Sequence, residues 1–207
     1  MSSSAAALAD GHESEKPEGD AVAAGMDLAL ANQLAAYGDR NNDALSLIVA
    51  ANIMNGLGTI EEREGEAESE GSGEAGDDKP EEAGLLDRAR ELAGDDEELI
   101  ALIEDAEMAG ARGDIAGPGC YNDSVWSGYT DIWTITFTPG SNYISLDGDG
   151  DTDLDLYVYA PNGNLICQGL SYSDNEFCSW NQYSTATVRV EVENLGSVYN
   201  VYDLCTN

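Results

Sequence analysis

The sequence predicts an α+β multidomain protein, with N-terminal helical hairpins followed by a C-terminal antiparallel β-sandwich. Three observations predict it. Over residues 25–58 and 82–110, apolar residues recur every three or four positions, the helical period. From Cys120 onward they alternate, the strand period, with turn signals between short runs. All four cysteines lie in that second part.

Residues 1–24 are Ser, Ala, Gly, Glu and Asp without an apolar period, which predicts a disordered tail. Ala7-Leu8-Ala9 before Asp10 has the small-x-small form of a signal-peptidase site. The charged and apolar regions that precede such a site are missing, so a trimmed signal and a chance alanine run stand level. Residues 25–58 read as a helical hairpin. Leu28, Leu30, Leu34 and Ala35 carry its first helix, and Asp39 to Asn42 its turn. Asn42 or Asp43 caps the second helix, which Leu45, Ile48, Val49, Ile53 and Met54 carry. Residues 59–81 are Glu, Gly, Ser and Asp, and read as an acidic disordered linker extended by self-repulsion. A second hairpin occupies 82–110, broken and capped at Gly94-Asp95-Asp96. Asn42–Met54 aligns without gaps onto Asp96–Met108. This resembles helix-turn-helix repeats of the tetratricopeptide kind. The consensus Trp and Pro of that repeat are absent, and two units fall short of the about three that a stack needs. Two packed hairpins in one four-helix layer are expected. Residues 111–119 form a Gly/Ala connector.

Residues 120–207 carry seven or eight short strands, a disulfide-stapled sandwich of about 88 residues. Asp131–Phe137 and Thr185–Val192 alternate most cleanly. Four cysteines confined to one small domain read as two disulfides. Cys120 and Cys205 bracket the domain and pair; Cys167 and Cys178 close a short loop. No C-x-x-C spacing favours zinc. Two disulfides place the protein in an oxidising compartment: secreted, periplasmic or at a bacterial cell surface.

Asp151-Thr152-Asp153-Leu154-Asp155-Leu156-Tyr157-Val158-Tyr159, the turn Asn162-Gly163-Asn164-Leu165, and the closing runs Val188–Val192 and Tyr199–Tyr202 resemble the bacterial pre-peptidase C-terminal domain family. The resemblance covers roughly residues 120–207. It implies a secreted, jelly-roll-like sandwich with an accessory role in binding, stabilisation or support of secretion. Some relatives bind collagen and use calcium. No peptidase domain accompanies the module here.

Asp147, Asp149, Asp151, Asp153 and Asp155 crowd into nine residues. The first three have the spacing of an EF-hand's first ligands, but position twelve is Val158 and a strand follows, so this is no EF-hand. Extended backbone over 151–159 places Asp151, Asp153, Asp155, Tyr157 and Tyr159 on one face and Leu154, Leu156 and Val158 toward the core. Two readings stand open: a Ca²⁺ site at the sandwich edge, and aspartates that cap turns and solvate the sheet. Tyr157 and Tyr159 on that face are candidate ligand-binding rings, set against ordinary half-buried tyrosines.

Forty-one acidic residues against eight basic give a net charge of −33. Such a surface repels nucleic acid and anionic lipid, and screening by salt favours it. No run approaches the about 18 apolar residues of a membrane span. His12 is the sole histidine and lies in the tail, which leaves a nucleophile no positioned base. The expectation is a non-enzyme: an exported binding or adhesion protein whose partner is an extracellular protein or glycan, with Ca²⁺ its one candidate cofactor. Two alternatives are a carbohydrate-binding module and an assembly component that docks protein through the hairpins.

Overall fold

The computed structural model describes residues 18–71, 83–110 and 116–207. Helices α1 (Glu18–Asn41) and α2 (Ala44–Leu57) lead into strands β1 (Thr59–Glu62) and β2 (Glu68–Gly71). Helices α3 (Leu85–Ala93) and α4 (Glu97–Gly110) follow. The sandwich then runs through β3 (Ala116–Val125), β4 (Tyr129–Phe137), β5 (Gly140–Gly148), β6 (Leu154–Tyr159), β7 (Leu165–Gly169), β8 (Asn175–Gln182), β9 (Ala186–Asn194) and β10 (Asn200–Thr206). No helix among the described residues is long and apolar enough to cross a membrane.

Both hairpins are capped by their aspartates. Asp43 accepts the Leu45 N–H at 3.2 Å and the Ser46 hydroxyl at 2.6 Å. Asp96 accepts the N–H groups of Glu98 and Leu99 at 3.0 and 3.2 Å. These satisfy helix-start donors that have no partner inside the helix. Ala31, Ala35, Leu47, Ile48, Ala89 and Ile103 bury into one core, so the four helices form a single layer.

Strand order is β1-β3-β10-β5-β8 in sheet A and β2-β4-β9-β6-β7 in sheet B. Without β1 and β2, the eight remaining strands have the connectivity of a jelly roll. Alternation aims Trp133, Ile135, Leu146, Leu156, Val190 and Leu204 into the space between the sheets. Cys120–Cys205 joins β3 to β10, and Cys167–Cys178 joins β7 to β8 across the sheets. The first disulfide packs outward on Leu28 and Leu57, where the helical layer meets sheet A. Helix α1 lies on β5, close enough that a Cβ on Gly25 would strike the Tyr143 ring.

Four boundaries differ from the sequence expectation. Residues 39–41, expected in the turn of the first hairpin, are the end of α1, which leaves Asn42 and Asp43 to turn the chain. Residues 18–24, expected in the tail, are the first turns of α1; their alanines favour helix without needing an apolar stripe. Residues 116–119, expected in the connector, begin β3. Residues 59–71, expected to be linker, form a strap across one flank of the sandwich. Its β1 pairs parallel with β3, and its β2 pairs antiparallel with β4. Backbone groups on β3 and β4 take their partners from this segment, while its glutamates stay exposed. Acidic composition therefore disguised a strand whose contribution is main-chain pairing. Between the two strands, Gly65 lies against Tyr121 and Trp133, and a Cβ there would stand 3.0–3.1 Å from both rings. Arg63 donates to the Thr206 hydroxyl and stands over the Tyr121 ring. The tail before residue 18, the linker over 72–82 and the connector over 111–115 lie outside the described residues.

Candidate functional site

The aspartate run divides at the start of β6. Asp149 belongs to the turn after β5: its carboxylate accepts the Val201 N–H at 2.9 Å and the Asp151 N–H at 3.2 Å. The hub of this end of the sandwich is Asp174, which sequence reasoning missed. It accepts the Gly150 N–H, the Asn200 amide at 3.1 Å and the Asn175 amide at 2.9 Å. Asn200 in turn accepts the Asp149 N–H at 3.2 Å. Gly150 takes φ +89°, a conformation that favours glycine. The turn is thus tied down by side-chain-to-backbone bonds. Nothing local in the sequence marked Asp174 as a hub, since Gly150 and Asn200 lie 24 and 26 residues away.

Asp153 precedes the strand. Its Oδ1 is buried without a hydrogen-bond partner. Its carboxyl is raised above the usual range by desolvation, then by the charges of Asp155 and Asp174. Asp147 is a residue of β5, opposite Asp203 of β10 and Asn175 of β8, and Asp151 is exposed in the turn. Among the described residues, no three histidine, cysteine or carboxylate side chains stand together as a metal site. The five aspartates are therefore not gathered into one cage, and both Asp149 oxygens already hold backbone donors.

Since β6 begins only at Leu154, the shared face reduces to Asp155, Tyr157 and Tyr159. Leu154, Leu156 and Val158 fill the core opposite. Tyr157 donates its hydroxyl to Asp155 at 3.0 Å. The rings of Tyr157 and Tyr159 lie nearly parallel, 16° apart with centroids 6.4 Å distant. Strand β9 supplies their neighbours: Glu193 opposite Asp155, Glu191 opposite Tyr157 and Arg189 opposite Tyr159. Arg189 bonds Glu191 at 2.6 Å and stands 6.0 Å over the Tyr159 ring. The alternating run Thr185–Val192 contains Arg189 and Glu191 and stops short of Glu193; the pairing of β9 with β6 was illegible.

Beside Tyr159, a groove of about 390 Å³ runs along Thr134, Thr187, Arg189 and Glu191 to a wall made by Pro161 and Gly163. That wall is a tight turn: Gly163 donates to the Ala160 carbonyl at 2.8 Å, and Asn162 accepts the Asn164 N–H at 3.0 Å. Desolvation first, then Asp155 and Glu193, pushes the Tyr157 phenol up to about 12. Tyr159 is raised for similar reasons, desolvation before Glu191. Both phenols stay protonated at neutral pH. The face therefore offers flat rings, hydroxyl donors, carboxylate acceptors and one guanidinium within a few side chains of each other.

All four cysteines are in disulfides. His12 lies outside the described residues.

No family model matches the chain, and no curated protein does. Part of it is similar to solved structures, among them the following three. The pre-peptidase C-terminal domain of a collagenase from Bacillus anthracis is 14% identical, with a TM-score of 0.38 over 42% of this chain and 87% of that one. PliG of Aeromonas hydrophila, a periplasmic inhibitor of g-type lysozyme, is 11% identical, with a TM-score of 0.35 over 44% and 84%. The Yersinia pseudotuberculosis-derived mitogen is 15% identical, with a TM-score of 0.36 over 45% and 86%. None of these likenesses assigns the chain to a family.

Proposed function

We propose that this chain is an exported, non-catalytic binding or adhesion protein that holds a glycan on the outer face of sheet B. The observation that carries the reading is the Tyr157–Tyr159 ring pair beside the groove of Arg189 and Glu191. Sugars present an apolar ring face and a belt of hydroxyls. Parallel phenols meet the first, and neighbouring carboxylate and guanidinium groups meet the second. Two disulfides support export. A glycan array followed by calorimetry tests the reading. The chain binds a glycan, and Tyr157→Ala with Tyr159→Ala abolishes the heat without moving the melting temperature. Binding unchanged in that double variant overturns it.

Docking of a protein on the helices is a second reading, favoured by the exposed row of Met26, Leu30 and Tyr37 along α1. Serine at all three positions removes such a partner and leaves glycan binding intact.

Calcium enters as a separate proposal resting on Asp153, whose orphaned oxygen stands in the field of Asp155 and Asp174. Ca²⁺ at constant ionic strength raises the melting temperature of the wild type and not of Asp153→Asn. An unchanged wild-type melt removes calcium from the reading.

A further inference from the structure

A cleft of about 410 Å³ opens between the helical layer and the outer face of sheet A, away from the tyrosine face. Its floor is apolar: Leu28, Met54, Ile60 and the Cys120–Cys205 disulfide. Its rim carries the carboxylates of Glu62 on the strap, Asp203 on β10 and Asp147, the cross-strand neighbour of Asp203 on β5. Asn122 donates to one Asp203 oxygen at 2.9 Å, which leaves the other oxygen available. The Asp203 carboxyl is raised by desolvation and by the charge of Glu62, so the two acids strain against each other. Arg63, the next residue after Glu62, does not neutralise them, because its guanidinium turns to Thr206 and the Tyr121 ring. Asn32 of α1 also lines the cleft. It is 5% exposed, and its amide has no hydrogen-bond partner among the described residues.

Carboxylates alone describe many acidic surfaces. This cleft adds the Asn32 amide, without a hydrogen-bond partner among the described residues, and an apolar floor. A bare metal ion wants six to eight oxygens and gains nothing from methyl and thioether groups. A neutral apolar ligand leaves the carboxylates desolvated and unpaired. The composition suits a cationic head on an aliphatic stem.

We propose that this cleft binds a primary ammonium group carried on an aliphatic chain. The ammonium bridges Glu62 and Asp203, the Asn32 carbonyl oxygen accepts one of its protons, and the stem lies along Leu28, Met54 and the disulfide. A lysine side chain of a partner protein and a free alkyl diamine share this chemistry. The site is separate from the glycan face and stands or falls independently of it.

The test uses the whole chain at constant ionic strength, because a net charge of −33 attracts every cation diffusely. The Met54 methyl resonance is followed while butyl-, hexyl- or octylammonium is added, with ammonium chloride and hexanol as controls. Expected is a saturable Met54 shift whose affinity climbs about fourfold per added methylene. Both controls bind far more weakly. Glu62→Gln with Asp203→Asn weakens hexylammonium at least tenfold; both sites are exposed, so the fold survives the change. Tyr157→Ala leaves the titration untouched. Diaminopentane and a lysine peptide, compared last, identify the source by which binds tighter. Affinity independent of chain length, a silent Met54, or full binding in the double variant overturns the proposal.

Discussion

Tyr202 donates its hydroxyl to Asp131 at 3.0 Å inside the sandwich and accepts the Trp133 indole N–H at 2.8 Å. The pair spans the two sheets, β10 of one and β4 of the other. Asp131 has no solvent exposure, and its second oxygen accepts the Ser69 hydroxyl from the strap. One buried carboxylate thus couples sheet A, sheet B and the strap through neutral hydrogen-bonding partners.

Tyr202→Phe keeps the ring and removes the link. It leaves an Asp131 oxygen and the Trp133 N–H buried without that partner, which costs about 2–4 kcal/mol. Chemical denaturation measures it. A loss below about 1 kcal/mol means that water replaces the hydroxyl.

The pH dependence follows from burial. The buried Asp131 and Glu176 are each raised, desolvation being the largest cause. In each case the folded state holds its proton to higher pH than the unfolded chain does. Their stabilisation is full below the ordinary carboxylate range and is lost as pH rises through the raised values. Melting temperature therefore falls from mildly acidic toward neutral pH, and Asp131→Asn flattens part of the slope. Added NaCl restores melting temperature at neutral pH, since about 1 M salt shortens the screening length to about 3 Å. Melts across pH 4 to 8 at two salt concentrations decide this; a melting temperature that climbs with pH refutes it.

The disulfides differ in weight. Cys120–Cys205 spans 85 residues and Cys167–Cys178 spans 11. Chain entropy alone gives about 4.5 and about 3 kcal/mol. The first also packs on Leu28 and Leu57. Cys120→Ser with Cys205→Ser therefore lowers the denaturation midpoint more than Cys167→Ser with Cys178→Ser, and additionally loosens the helices.

Gly25→Ala tests the joint between α1 and the sandwich. Its methyl meets the Tyr143 ring, and the overpacking costs about 1–3 kcal/mol. Hydrogen exchange then speeds up in α1 while β6 and β9 stay protected. Uniform protection would show that the ring moves aside without cost.

Legibility followed the physics of each element. The helices and the alternating strands announced themselves because their side chains do the burying. Asp131 was visible in principle: period two puts it on the face of Trp133, Ile135 and Phe137. A carboxylate there signals a buried partner, but only the fold brings Tyr202 to it. The β6–β9 face was half legible, since each strand's outward residues could be read but not their adjacency. Asp174 was opaque, because its role depends on loops that meet only after the jelly roll closes. The strap was opaque for the opposite reason: it pairs through main-chain groups that every residue except proline possesses.

That strap has a consequence for how copies of this protein meet. A sandwich ending at β3 and β4 would present two unsatisfied backbone edges, an invitation to build fibres strand by strand. Here the outermost strands on that flank carry Glu61, Glu62, Glu68 and Glu70, with Glu64 and Glu66 between them. Two molecules approaching by this side would align like charges before any amide could reach a carbonyl. The segment whose composition argued against structure thus opposes edge-to-edge pairing, most strongly at low salt, where its like charges are least screened.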